Sequence, residues 1–344
     1  MPGPGRSFAS DNIAGAHPAV LAAMVAANAG DSPAYGHDAY TVRIEELVRR
    51  ELDAAAVFFV FGGTAANVLG LHAALASHEA VVCVDSAHVN VDECGALERM
   101  VGAKLLPVPS ADGKLRPDHL DRFRHLAGVE HHAQPRVVSV SQSTEHGTVY
   151  TRQELGALAE RAHADGMLLH VDGARIANAA AALGCSLRDI TARAGVDILT
   201  FGGTKNGALA AEAVVFFRPE LAERFRFIRK QGMQLASKMR FVAAQFDALL
   251  TGELWRCNAE HANLMARRLA EQATGLPGVT LTQPVEANAV FATLPAAAIE
   301  PLQARHFFHV WDPDAREVRW MTSWSTRPQD VDAFIASLRE VLPE

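Results

Sequence analysis

The chain is poor in cysteine. Its 344 residues hold four, Cys83, Cys94, Cys185 and Cys257, and no pair of them has Cys-x-x-Cys spacing. Scattered cysteines of this kind suit reduced thiols filling the core of a cytosolic protein better than a disulfide framework or a zinc site, so no metal is expected. No run of lysine and arginine is long enough to grip a phosphate backbone, and a net charge of −7 argues against nucleic acid as a partner. No uninterrupted apolar stretch is long enough to cross a bilayer, and Met1-Pro-Gly-Pro-Gly-Arg-Ser7 lacks the apolar segment of a secretion signal. The expected location is therefore the cytoplasm, with no membrane partner. Neither Gly-x-Gly-x-x-Gly nor Gly-Lys-Ser/Thr occurs, which speaks against a nucleotide-binding or regulatory module. Internal repeats and low-complexity linkers are missing too.

What is present is enough apolar sequence, 49% of residues against 21% charged, to bury one large core and a smaller second one. The organising stretch is Asp197 to Ala208. Ile198 to Phe201 reads as a buried strand, Gly202-Gly203 turns the backbone sharply at its end, and Thr204-Lys205 stands at the mouth of the turn. A lone lysine presented there can form a Schiff base with an aldehyde cofactor, although many such loops are ordinary surface turns. Two other stretches keep it company. Val171-Asp172-Gly173-Ala174-Arg175 ends a strand with an acid and an arginine. Val57 to Phe61, then Gly62-Gly63-Thr64 and an apolar helix from Ala65 to Ala76, form a strand, turn and helix that aim backbone N–H groups at an anion.

Further strands are expected at Ala80 to Val84, Leu105 to Val108, Val137 to Val140, Met167 to Val171 and Ala213 to Phe217. Helices are expected from Pro18 to Gly30, Val42 to Leu52 and Pro117 to Leu126, and a capping box at Thr151 and Glu154 starts another running to about Ala164. Strands alternating with helices, several continuously apolar, predict an α/β fold with a mainly parallel central sheet flanked by helices. Ligands of such sheets sit beyond the strand carboxyl ends, where one pocket could collect Gly62, His88, Glu145, Asp172 and Lys205. Long helices follow over Pro219 to Lys230, Met233 to Leu250 and Trp255 to Ala273. Short strands at Val279, Val290, Phe307 and Val318 and a last helix from Pro328 then predict a smaller α+β unit. The expected division is an N-terminal arm over 1–30, a large domain over 31–250, and a linking helix with a small C-terminal domain over 251–344.

Taken together, Tyr35-Gly36, Gly62-Gly63-Thr64, Ala87-His88 with Glu93-Cys94-Gly95, Asp172-Gly173-Ala174-Arg175 and Thr204-Lys205 resemble the pyridoxal phosphate (PLP) enzymes of fold type I. Within that group the chain is most similar to the threonine aldolases of the β-eliminating lyases. The resemblance implies that Lys205 carries the cofactor and that Asp172 accepts a hydrogen bond from the pyridine nitrogen. Gly63 and Thr64 would hold the phosphate, and His88 would stack on the ring. Ser10, Arg175 and Arg319 would bind the substrate carboxylate. The plainer readings are a strand-end cap for Asp172, a helix N-cap for Thr64, a structural histidine at 88, a surface ion pair for Arg175 and a solvent-facing Arg319.

One departure stands out. Where many low-specificity aldolases carry a histidine near the substrate β-hydroxyl, this sequence has Glu145, with His146 one place later. The implied reaction is retro-aldol cleavage of L-threonine, L-allo-threonine or phenylserine to glycine and an aldehyde, with His88, Glu145, His146 or a water as base. β-Elimination or amino transfer on the same scaffold is the alternative. Relatives share pockets between chains, which implies a homodimer or homotetramer with Tyr35 as a cross-subunit contact and Lys238 or Arg240 as candidate phosphate ligands.

Overall fold

The computed structural model describes residues 6–343. Seven strands form the larger sheet: β1 (Ala56–Val60), β2 (Glu79–Val84), β3 (Lys104–Val108), β4 (Gln134–Ser141), β5 (Leu168–Gly173), β6 (Ile198–Gly202) and β7 (Glu212–Phe216). Their order is β1-β7-β6-β5-β4-β2-β3. β2 to β6 pair in parallel, and β7 lies antiparallel to both its neighbours, β1 and β6. The continuous apolar runs explain this layout, because strands covered by helices on both faces have no solvated side. Val81, Val82, Val137, Val138, Leu169, Val171, Ile198 and Leu199 are accordingly buried. Each such side chain contributes roughly 1.5–3 kcal/mol of transfer free energy.

Helix starts follow local chemistry. Asp38 caps the helix Ala39–Leu52, its Oδ1 accepting from Thr41 N–H at 2.6 Å. The capping box forms at Arg152–Ala164: Thr151 Oγ1 accepts from Glu154 N–H, and Glu154 Oε2 accepts from Thr151 N–H. Two glycines let β5 and β6 end close together. A Cβ on Gly173 would stand 2.6 Å from the Thr200 carbonyl, and one on Gly202 would stand 2.8 Å from Ala174 Cα. That approach brings the Asp172 and Lys205 ends of the two strands to one place.

The second sheet is antiparallel, in the order β10-β11-β9-β8, with β8 (Thr280–Leu281), β9 (Ala289–Thr293), β10 (His309–Asp312) and β11 (Glu317–Met321). Its core holds Phe308, Trp320 and Phe334, joined by Phe8 from the N-terminal segment. Phe8 donates its N–H to Phe307 O and accepts from Met321 N–H, so residues ahead of the first helix are hydrogen-bonded into this unit.

Several expectations need correction. Pro117–Leu126 is a helix with the expected bounds, of the 3-10 type, whereas other elements differ. The first helix ends at Ala26, short of Gly30. The helix expected from Met233 begins only at Arg240, because Met233 sits at a positive φ of 60°. The stretch from Pro219 is split into Pro219–Ala222 and Phe225–Gln231. Only Cys83 is core filler; Cys185 is half-buried, Cys94 and Cys257 are exposed, and all four thiols are free.

Candidate active site

The strand carboxyl ends converge on one pocket lined by Gly63, Thr64, His88, Glu145, Asp172, Arg175 and Lys205, with Asn67, Glu93, Ser141, Ser143 and Ala174 beside them. Asp172 belongs to β5 itself rather than to the loop beyond it. Thr64 is not an N-cap: the helix Gly63–Ala74 already starts at the preceding residue, and Gly62 gives it no side-chain cap. The first N–H groups of that helix therefore face the pocket mouth without a side-chain acceptor.

Asn67 organises the floor. Its amide donates to Asp172 Oδ2 at 2.7 Å and to Glu93 Oε1 at 2.8 Å, and Glu93 Oε1 also meets His88 Nδ1 at 2.9 Å. Ala174 N–H donates to Asp172 Oδ1 at 2.9 Å. Burial would push the Asp172 carboxyl upward, but Lys205, Asn67, Ala174 and His88 together hold it below the usual carboxylate range. The hydrogen bond to Glu93 outweighs burial at His88 and raises its imidazole above the ordinary value. Ligand atoms of His88, Glu93 and Asp172 lie within 4.8 Å of one another. The Asn67 amide, bonded to both carboxylates, accounts for that closeness by hydrogen bonding alone.

Lys205 is pulled the other way. Burial and the nearby Arg175 guanidinium lower its ammonium below the lysine norm, against Asp11, Asp172 and Glu212. Such a shift favours the neutral amine that imine chemistry requires. Burial likewise raises Glu145, although its Oε1 accepts from Ser141 Oγ at 2.5 Å and from His88 N–H at 2.9 Å. Its other oxygen, Oε2, is buried without a partner.

Of the expected carboxylate binders, Arg175 lines this pocket, and Ser10 and Arg319 do not. Arg175 is committed to an ion pair with the buried Asp11, which Asn288 Nδ2 supports at 3.0 Å, so the surface-pair reading of Arg175 fails. Ser10, next to Asp11, accepts from Asn12 N–H. Arg319 is not solvent-facing. Its guanidinium lies over the Trp311 ring at 4.9 Å, its Nε is buried without an acceptor, and burial with the neighbouring Arg175 lowers it to about 10. His146 does not line the pocket; its ring packs on Phe291 and Trp311 at 5.8 and 5.9 Å, and its Nδ1 is buried without a partner. Tyr35 is half-exposed outside the pocket, with Lys230 over its ring. Lys238 is exposed, and Arg240 donates to Gly30 O.

Sequence reasoning left Asn67, Asp11 and the role of Glu93 unassigned. The signal for Asn67 was available: a lone amide inside an apolar helix, which burial obliges to find partners.

The chain has relatives among known proteins. The low specificity L-threonine aldolase of Pseudomonas aeruginosa is 44% identical over 339 residues, 98% of both chains. That of Saccharomyces cerevisiae is 30% identical over 299 residues, 82% of this chain and 72% of the yeast one. The solved structure of Leishmania major threonine aldolase matches with a TM-score of 0.93 at 30% identity, covering 98% of this chain and 100% of that one. The description "beta-eliminating lyase" fits residues 7–297, a span that takes in the N-terminal segment, the whole large sheet and the start of the small one. With most of its length inside that span and such relatives beside it, the chain belongs to the beta-eliminating lyase family.

Proposed function

We propose that this protein is a PLP-dependent carbon–carbon lyase of the threonine aldolase type. It cleaves L-threonine, L-allo-threonine and related β-hydroxy-α-amino acids such as phenylserine to glycine and an aldehyde. The observation that carries this reading is the pairing of Lys205 with Asp172 on the walls of one pocket.

The residues present fit the cofactor. A Cβ on Gly63 would meet nothing within 4 Å, which leaves open space beside the free N–H groups of the helix Gly63–Ala74 for a phosphate. Asp172 is buried, and among the described residues no lysine or arginine reaches it within salt-bridge distance, so a protonated ring nitrogen suits it. When bound, PLP supplies an aldehyde for imine formation and a ring that accepts the electrons of the broken Cα–Cβ bond.

The rest falls to the chain's own groups. Lys205 would hold the cofactor aldehyde through its amine, which burial and Arg175 keep inclined to the neutral form. Asp172 keeps the ring nitrogen protonated, and His88, fixed by Glu93, lines the same space. Arg319, with a spare donor, holds the substrate carboxylate together with Ser10 and Arg175. Glu145 is the leading acceptor for the β-hydroxyl proton, since it lines the pocket with a bare Oε2 whereas His146 is not part of that lining. The working unit is a cytoplasmic homodimer or homotetramer, with Tyr35 and Lys238 or Arg240 turned toward a neighbouring pocket.

The test is a visible spectrum of the purified protein followed by product analysis. A visible band, with acetaldehyde and glycine from the threonine diastereomers, supports the reading. Pyruvate and ammonia from serine or cysteine, with no aldehyde, would assign β-elimination instead, and a colourless protein that binds no added PLP would end the proposal.

A further inference from the structure

The turn that carries Lys205 is held by two asparagines that do not line the pocket. Asn206 closes the turn Thr204–Asn206 and is 5% exposed; Asn258 lies in the helix Leu254–Ala273 and is 6% exposed. The two exchange hydrogen bonds with each other's elements. Asn206 Nδ2 donates to Trp255 O at 2.9 Å, and Asn258 Nδ2 donates to Asn206 O at 2.9 Å. Gly207, at a positive φ of 102°, makes room for the second bond, because a Cβ there would stand 2.9 Å from Asn258 Nδ2. The residue on the other side of Lys205 is tied as well: Thr204 Oγ1 accepts from Ala211 N–H at 3.1 Å.

Asparagine is a poor helix former, and burying its amide is costly unless the amide is bonded. The same helix holds a second such residue. Asn263, also buried, donates to Asn178 O at 2.9 Å and accepts from Asn178 Nδ2 at 3.0 Å. One helix thus carries two asparagine pairs, and of these only the pair at Asn258 touches the residue beside Lys205.

We propose that Asn258 is a positioning residue for Lys205: through the Asn206 carbonyl it fixes the backbone from which the amine is presented to the cofactor. The inference rests on the reading of Lys205 given above. A lysine stem is flexible, so the place its nitrogen can reach is set by where its backbone is held. Misplacing a reacting group by about 1 Å costs on the order of 10²-fold in rate.

Asn258→Ala and Asn263→Ala each remove one buried amide from this helix. Protein stripped of cofactor is titrated with PLP and followed by its visible band. Asn258→Ala is expected to raise the PLP dissociation constant about tenfold, the worth of one hydrogen bond, while Asn263→Ala leaves it unchanged. Melting temperatures with and without PLP give a second readout. In Asn258→Ala the gain conferred by PLP shrinks, whereas a purely structural loss lowers both melts alike. Should Asn258→Ala not fold, Asn206→Ser, which removes the bond to Trp255 O, is read in the same way. An unchanged dissociation constant, or a rise matched by Asn263→Ala, overturns the inference. A wild type that binds no PLP removes the cofactor reading instead. Labelling of Lys205 by trinitrobenzenesulfonate, read by peptide mass spectrometry, then decides: a rate changed in Asn258→Ala but not in Asn263→Ala upholds the positioning role, and any other pattern overturns it.

Discussion

Arg175 grips Asp11 with two parallel hydrogen bonds, Nε to Oδ2 and a terminal nitrogen to Oδ1, both 2.8 Å, across 164 positions of sequence. The pair ties the N-terminal segment to the rim of the pocket. It also occupies one edge of the guanidinium, so Arg319, with its unpartnered Nε, is the better free donor for a substrate carboxylate.

Breaking this pair leaves an uncompensated buried charge. Asp11→Ala is expected to lower unfolding free energy by about 3–5 kcal/mol, read from urea melts. It should also raise KM for threonine as Arg175 loses its orientation. A variant with unchanged stability would mean that the pair is solvated in solution.

Arg319→Lys keeps the charge and loses the planar fork. The expected result is a KM for threonine raised about tenfold with kcat little changed, checked by initial rates of aldehyde release. An unchanged KM would move carboxylate binding to Arg175 and Ser10.

Glu145→Gln should cut kcat for both threonine diastereomers by roughly 10²–10⁴, the usual worth of a positioned proton acceptor. His146→Ala should cost far less, because that ring packs on Phe291 and Trp311. Reversed effects would hand the proton transfer to His146 after a loop movement.

Asn67→Ala strips the shared donor from Glu93 and Asp172; Glu93 Oε1 keeps His88, so the cost is about 1–3 kcal/mol for the orphaned Asp172 oxygen, with weaker PLP retention. Dialysis followed by the visible spectrum reads the retention. Full retention would show that the floor is held without the amide.

His88 sets a pH-dependent contribution to stability. Its folded imidazole is raised by Glu93, so the stabilisation is fully present below the ordinary 6.5 and is lost as pH climbs through the raised folded value. His88→Asn should therefore lower Tm more at pH 5.5 than at pH 8.5. Equal losses at both pH values would place His88 in the fold as a neutral ring.

The large sheet was legible because its signals are local: apolar runs of strand length, glycine turns after β1 and β6, and a capping box at Thr151. The site was legible where a residue sits on or beside a strand end, as Asp172, His88 and Lys205 do. Long-range partners were not. Asp11 pairs with a residue far along the chain, and Asn67 and Glu93 meet only once a helix and a loop are packed together, which no spacing encodes. The missed helix start at Met233 has a backbone cause, a positive φ that residue type alone does not announce.

Phe8 is fully buried among the rings of Phe334 and His306, and its backbone bonds both Phe307 and Met321. The smaller unit is thus built from one segment that precedes the large sheet and others that follow it, and it can close only after the whole large sheet has been made. Until then the large sheet must wait with its pocket rim unsupported, and a protease that nicks the chain just past Phe8 would loosen the smaller unit although the cut lies ahead of the large sheet.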